Sequence, residues 1–163
     1  MNIHDDQDIL KKAPIQVPHA RLIWTAIVDI APRESLGSIA VGDRFIVPIL
    51  GGRFYAGSDT DGLNGVILPG GADRQLLRPD GVKELHALYE MKIDNGPVIT
   101  ISNRVIVDES RDGPRYALSV INATVEAGRF DWISKRVLIG SLESLKPERM
   151  SVVVRAWLMD SVM

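Results

Sequence analysis

The chain has 163 residues, 45% of them hydrophobic and 25% charged, with a formal net charge of −2 and no cysteine. This is the length of one domain with enough apolar material for a core, which excludes wholesale disorder. The charge balance gives no electrostatic case for nucleic acid or an anionic membrane, and the absence of thiols excludes disulfides, thiolate metal sites and cysteine nucleophiles.

The first segment, "MNIHDDQDILKK", is acidic and carries no apolar signal region, which predicts a cytosolic protein. Weak helical periodicity covers residues 5–12, and residues 1–19 read as an N-terminal extension to a β domain over 20–163. From Ala20 onward, short β-rich runs alternate with glycine or proline punctuation. The runs are "RLIWTAIVDI" (21–30), "RFIVPIL" (44–50), "NGVIL" (64–68), "VKELHALYEMKI" (82–93), "VITISNRVIV" (98–107), "YALSVINATV" (116–125), "RVLIGSL" (136–142) and "VVVRAWLM" (152–159). A short helical stretch fits within 127–135. Between the runs sit "LGG", "LPGG", "RPDG", "DNGP", "RDGP" and "EAG", where glycine supplies positive φ and proline presets the turn. The "DNG" at 94–96 predicts a hairpin. Seven or eight strands at this spacing predict an all-β sandwich or barrel, and closure would remove the exposed edges. No run approaches the ~20 apolar residues of a membrane helix.

The glycine pair in "LPGGAD" is not a phosphate loop. It lacks the G-x-G-x-x-G spacing and the terminal Lys-Ser/Thr, and "ADRQLL" rather than a helix follows it. The turns on either side of that short strand put Arg74, Gln75 and Arg78 near one end of the sheet.

The motifs "GGRFYAG", "GVILPGGAD", "RPDGVKEL", "ALY" and "DNGPVITISNR", in that order, resemble a small bacterial β-barrel family catalogued as a domain of unknown function. That family reads G-G-x-F, V-L-P-G-G-A-D-W, R-x-D-G, L-D-A-R-Y, then D-G-A before an I-Y-V-x-N-R strand. "RFDWISKRVLIG" is similar to its R-Y-A-W-L-N segment. The resemblance spans roughly residues 20 to 159 and implies a calycin-like (lipocalin-like) antiparallel barrel of about eight strands with an internal pocket, often dimeric. It implies little about activity. The chain departs from the pattern with Arg74 for the tryptophan, His86 at the acidic position, Leu88 at the arginine position, and Leu118 and Thr124 at charged positions. If those positions line a pocket, this one is less charged and holds an imidazole.

Glu84 and His86 lie two apart on one strand and share a face with Leu88 and Glu90. Imidazole titrates near neutrality, so the pair is the candidate acid–base machinery. The opposite face, Leu85, Ala87, Tyr89, Met91 and Ile93, is apolar, so Glu84 and His86 equally fit a solvated outer face. Tyr89 on the apolar face needs a partner for its hydroxyl, and Asn103, which interrupts an apolar series on the next strand, offers one. Together they would orient a ligand or satisfy each other. Tyr116 and Asn122 join that layer if their face points inward. Arg74 and Arg104 are candidates for holding an anionic group, and Trp132 for a lid or stacking surface. Asp73 and Arg74 follow the glycine turn, where they fit a rim that binds a carboxylate or activates a substrate proton, but Asp73 reads first as a turn cap. Arg78 and Asp80 read as a solvated pair, and Trp24 and Trp157 as core or interface. The scattered His4, His19 and His86 give no metal-site spacing. No nucleophilic serine elbow and no cofactor motif is present.

Two functions follow. One is a cofactor-independent lyase, decarboxylase or isomerase acting by acid–base chemistry on an aromatic or polyketide-like molecule. The other is a non-catalytic small-molecule carrier. A structural role as an assembly subunit ranks third. The apolar terminal run "VVVRAWLMDSVM" needs a covered edge or face, which predicts a homodimer.

Overall fold

The computed structural model describes residues 3–110 and 112–162. A short helix, α1 (Ile3–Leu10), precedes ten strands: β1 (Val17–Ile30), β2 (Glu34–Ile39), β3 (Gly42–Ala56), β4 (Gly65–Ile67), β5 (Ala72–Leu77), β6 (Lys83–Ile93), β7 (Val98–Asp108), β8 (Tyr116–Thr124), β9 (Leu138–Ser144) and β10 (Ser151–Val162). A 3-10 helix covers Asp131–Lys135. The predicted helical stretches, the "DNG" hairpin between β6 and β7 and the run of strands are all present. The sequence reading assigned no strand to β2.

All pairings are antiparallel, and the sheet closes on itself. Its order runs β1–β10–β9–β8–β7–β6–β4–β3–β2, β5 also bridges β3 and β6, and β1 pairs with β3. Because β4 and β5 fill one position between β3 and β6, interrupted by the "LPGG" turn, the circuit is a closed eight-stranded barrel. Closure depends on close backbone approach where β3 crosses onto β1. At Gly52, with φ +137°, a Cβ would lie 2.0 Å from the Ile27 carbonyl oxygen. Across the barrel, a Cβ on Gly65 would lie 1.9 Å from the Lys92 carbonyl oxygen. Only glycine lets these ladders form.

The two ends of the barrel differ. At one, Trp24, Phe54, Leu63, Ile93, Ile99 and Ile133 pack with no solvent exposure or nearly none, and the 3-10 helix seals the barrel. At the other, where β6 begins and β1, β7 and β9 end, the lumen stays open. The β2–β3 hairpin extends past this mouth, and every residue of β2 is exposed.

The terminal strand β10 pairs with β1 on one side and β9 on the other. Its edges are therefore covered within the chain, so of the edge or face from which a homodimer was expected, the edge needs no partner.

Alternation fixes what each residue of β3 contributes. Phe54 is fully buried and its neighbour Tyr55 is 47% exposed. Phe54→Ala should cost about 3–5 kcal/mol by opening a cavity at the packed end, read as a Tm lowered by on the order of 10 °C. Tyr55→Ala should stay within about 0.5–1 kcal/mol. Equal losses in a thermal melt would contradict the assignment of faces.

Candidate functional site

The open end leads into a cavity of about 310 Å³ walled by Val28, Ile49, Leu85, Val105, Val152 and Val154, among others. Below the charged residues of its mouth, polar groups are few. Asp73, Gln75, Tyr89 and Asn103 project inward from β5, β6 and β7, and their placement follows from register. Asp73 lies opposite Ala87, and Ala87 lies opposite Asn103, so the three form one row across the sheet. Adjacent strands are about 4.8 Å apart, so Asp73 and Asn103 stand on the order of 10 Å from each other, separated by the smallest chiral side chain. Tyr89 sits two residues deeper on β6, on the same face.

The hydrogen bonding of this row is incomplete. The Gln75 amide donates to Asp73 Oδ2 at 2.8 Å, while Asp73 Oδ1 is buried without a partner. Asn103 is 2% exposed and its Oδ1 is likewise buried and unpartnered. Burial raises the Asp73 carboxyl to about 6, against the opposing hydrogen bonds from Gln75 and the His86 backbone. Burial, and secondarily the Asp73 charge, push the Tyr89 hydroxyl well above the usual phenol range, so it remains a proton donor. Unsatisfied buried acceptors cost roughly 1–3 kcal/mol each. Both of them face the one cavity.

The expected acid–base pair is not in this cavity. Glu84 and His86 face outward, because Leu85, Ala87 and Tyr89 occupy the luminal positions of β6. In a closed barrel the apolar set must take the inside, so the polar set takes the outside. Arg74 and Arg104 are outward for the same reason. These four residues do come together, in an open groove of about 740 Å³ on the outer wall beneath Leu36 and Phe45 of the β2–β3 hairpin. There His86 Nε2 and Ser102 Oγ are 2.9 Å apart. Burial and the nearby Arg104 charge lower the imidazole below its ordinary value. Tyr116 and Asn122 are exposed on the outside of β8, so they do not join the luminal layer. Trp132 is half-buried in the 3-10 helix and packs against the core at the sealed end, away from the mouth. Of the expected site residues, Tyr89 and Asn103 alone line the lumen.

Asp73 was read as a turn cap, and here the structure corrects the sequence. The turn ends at Gly71, and Asp73 is already the second residue of β5. The strand "ADRQLL" has no clean alternation, so only its register against β6 reveals which side chains point inward. Trp24, read as core or interface, is core, and its indole Nε1 is a third buried atom without a partner. Trp157 is half-buried, and Arg78 with Asp80 forms the expected exposed ion pair. The side chain of His4 lies outside the described residues. Among the described residues, no group of three His, Asp or Glu side chains comes close enough to hold a metal, and no helix is long and apolar enough to cross a membrane.

The chain belongs to the family described as "Protein of unknown function (DUF3237)", which its residues 18–159 match. It is 37% identical over 83 residues to a UPF0311 protein of Rhodopseudomonas palustris and 42% identical over 72 residues to one of Clostridium acetobutylicum. These alignments cover 51% and 42% of this chain, so the chain spans about half the length, or less, of the curated relatives it matches (52% and 43%). Solved structures match over more of it. A conserved protein of unknown function from R. palustris aligns with TM-score 0.76 at 25% identity, covering 90% of this chain and 99% of that one. A "beta-barrel like protein" from Acinetobacter baumannii aligns with TM-score 0.77 at 22% identity, covering 90% and 99%. A protein described as "an enzyme from Penicillium herquei" shares the fold with TM-score 0.69 at 14% identity, covering 90% and 97%.

The raised Asp73 carboxyl carries a stability consequence of definite sign. The folded protein holds this proton up to about pH 6, whereas the unfolded chain releases it near 3.8. Folded stability is therefore lost as pH rises between those values, by on the order of 2–3 kcal/mol, and the loss persists above them. Asp73→Asn has no such ionisation, so it should be more stable than the parent protein at pH 7 and lose that advantage at pH 4. Urea denaturation at both pH values measures this. An advantage that does not change with pH would contradict the desolvated carboxyl.

Proposed function

We propose that this DUF3237 member is a cofactor-independent proton-transfer enzyme, an isomerase or lyase acting on a small aromatic or polyketide-like molecule held in the barrel lumen. One observation carries the reading: Asp73 presents an unpartnered carboxylate oxygen to an apolar cavity, with its acidity shifted to about 6. A carboxylate so placed is ionised at neutral pH yet basic enough to take a proton from carbon next to a carbonyl, and it returns that proton readily. Tyr89, kept protonated by burial, and the Asn103 amide are positioned to donate to the enolate oxygen that forms. Charge that develops in a low-dielectric lumen is stabilised more by such fixed dipoles than it would be in water.

In an isomerisation, Asp73 removes a proton from one carbon and delivers it to another, leaving the mass unchanged. In a decarboxylation, the Asp73 carboxylate first takes a proton from solvent; the carbon–carbon bond then breaks, carbon dioxide leaves, and protonated Asp73 gives that proton to the carbanion. Either way the carboxylate is regenerated. The distant fungal neighbour called an enzyme is in keeping with this reading, as fold-level analogy.

A carrier function draws on the same observation, since a bound ligand's donors would satisfy Asp73 and Asn103 without reacting. Turnover separates the two readings. Hydroxycinnamic acids, aryl β-keto acids and conjugated enones incubated without cofactor should yield an isomer or carbon dioxide. For an isomerisation, kcat/KM should fall about tenfold per pH unit below about 6, as the base is protonated, whereas a decarboxylation, which uses the protonated acid, should fall above it. Asp73→Asn should lower kcat by roughly 10²–10⁴-fold, and Tyr89→Phe by less, while Glu84→Gln and His86→Gln on the outer wall should retain activity. A ligand-induced thermal shift with no turnover would instead establish the carrier, and activity lost in His86→Gln but kept in Asp73→Asn would move the chemistry to the outer groove.

A further inference from the structure

Four cationic side chains line the cavity, Arg33, Lys83, Arg115 and Lys146, against a single carboxylate, Asp73. All four lie where strands begin or end at the open mouth. Arg33 falls between β1 and β2, Lys83 is the first residue of β6, Arg115 immediately precedes β8, and Lys146 follows β9. Arg115 is paired, at 3.0 Å, with Glu109, a residue outside the lining. Arg33 lies 4.0 Å above the Phe45 ring, which holds the guanidinium in place, and it has no ion pair among the described residues. Neither Lys83 nor Lys146 has an ion pair among the described residues. The chain carries a net charge of −2, so this concentration of positive charge is a local feature of the mouth. A rim of one sign around an apolar cavity focuses its field into the opening.

We infer that the ligand is an amphipathic organic anion, bound with its carboxylate or sulfonate-like group at the mouth and its apolar, hydroxyl-bearing body inside. This rests on the lumen being the ligand site and adds the substrate's charge and orientation to the reading above. The reverse orientation would bring the ligand's charge against Asp73 and strip its hydration in the apolar interior without a counter-charge to offset the loss. With the anion outermost, lysine ammonium groups meet it in partly solvated surroundings, while the buried oxygens of Asp73 and Asn103 receive the ligand's hydroxyl donors. Lys83 is four residues from Ala87, about 13 Å along the strand, a span that the lysine stem shortens. A ligand of one or two fused rings bridges it, and a cavity of about 310 Å³ accommodates that size.

Two fluorescent probes that differ in one charged group test this: anionic 1-anilinonaphthalene-8-sulfonate and neutral N-phenyl-1-naphthylamine. At low salt the anionic probe should bind the intact protein at least tenfold more tightly, with an advantage that shrinks as sodium chloride rises. K83Q/K146Q should weaken the anionic probe about tenfold and leave the neutral one unchanged, and K83R/K146R should restore it. Ala87→Leu, which fills the polar row, should weaken both probes and so place them in the lumen. Equal, salt-independent binding of the two probes would overturn the inference while leaving the lumen as a binding site. Anionic binding that survives Ala87→Leu, or that ignores K83Q/K146Q, would also overturn it. If neither probe bound, the inference would fall together with the lumen as a ligand site. Charge-selective binding in a protein that turns nothing over would keep this inference and discard the enzyme.

Discussion

The β1–β3 ladder turns a long meander into a barrel, and closure imposes the constraint on which the site depends. Once the sheet has an inside, every second residue of every strand faces a space with little water. Most of those positions are apolar, and at the sealed end they pack solid. Toward the mouth the row Asp73–Ala87–Asn103 breaks the pattern with two polar residues flanking a small one. Their unsatisfied oxygens cost stability that an apolar row would not, and a fold keeps such a cost where a function uses it.

The same alternation explains what could be read in advance. Strong β runs divided by glycine and proline gave the strands, and the motifs from "GGRFYAG" to "RFDWISKRVLIG" pointed to the right family and barrel. On β6 the apolar set Leu85, Ala87, Tyr89, Met91 and Ile93 already contained the answer that the polar set faces outward. The family's habit of charged residues at the alternate positions pulled the reading toward Glu84 and His86. On β7 the interruption of an apolar series by Asn103 correctly marked an inward polar group.

Asp73 was read as a turn cap rather than a pocket acid for a physical reason. The six residues of β5 alternate too poorly to reveal a face, and an aspartate two residues past a glycine turn resembles a cap. Its role emerges only from pairing with β6, a nonlocal fact. The cationic mouth was equally invisible, because Arg33, Lys83, Arg115 and Lys146 come from four separate strand ends and share no motif. Barrel geometry alone assembles them around one opening, above the one carboxylate in the cavity. The resulting lumen has a charge gradient from a positive rim to a buried acid, and that gradient would select and orient a substrate before any proton moves.

Proton transfer in this lumen depends on the state of one carboxyl group. A pH titration followed by carboxyl ¹³C NMR, with the Asp73 resonance assigned through Asp73→Asn, reads that state directly. A midpoint near 6 is expected for this residue, well above the ordinary aspartate value. A midpoint near 4 would show Asp73 to be solvated, and the lumen would then hold no base suited to proton transfer.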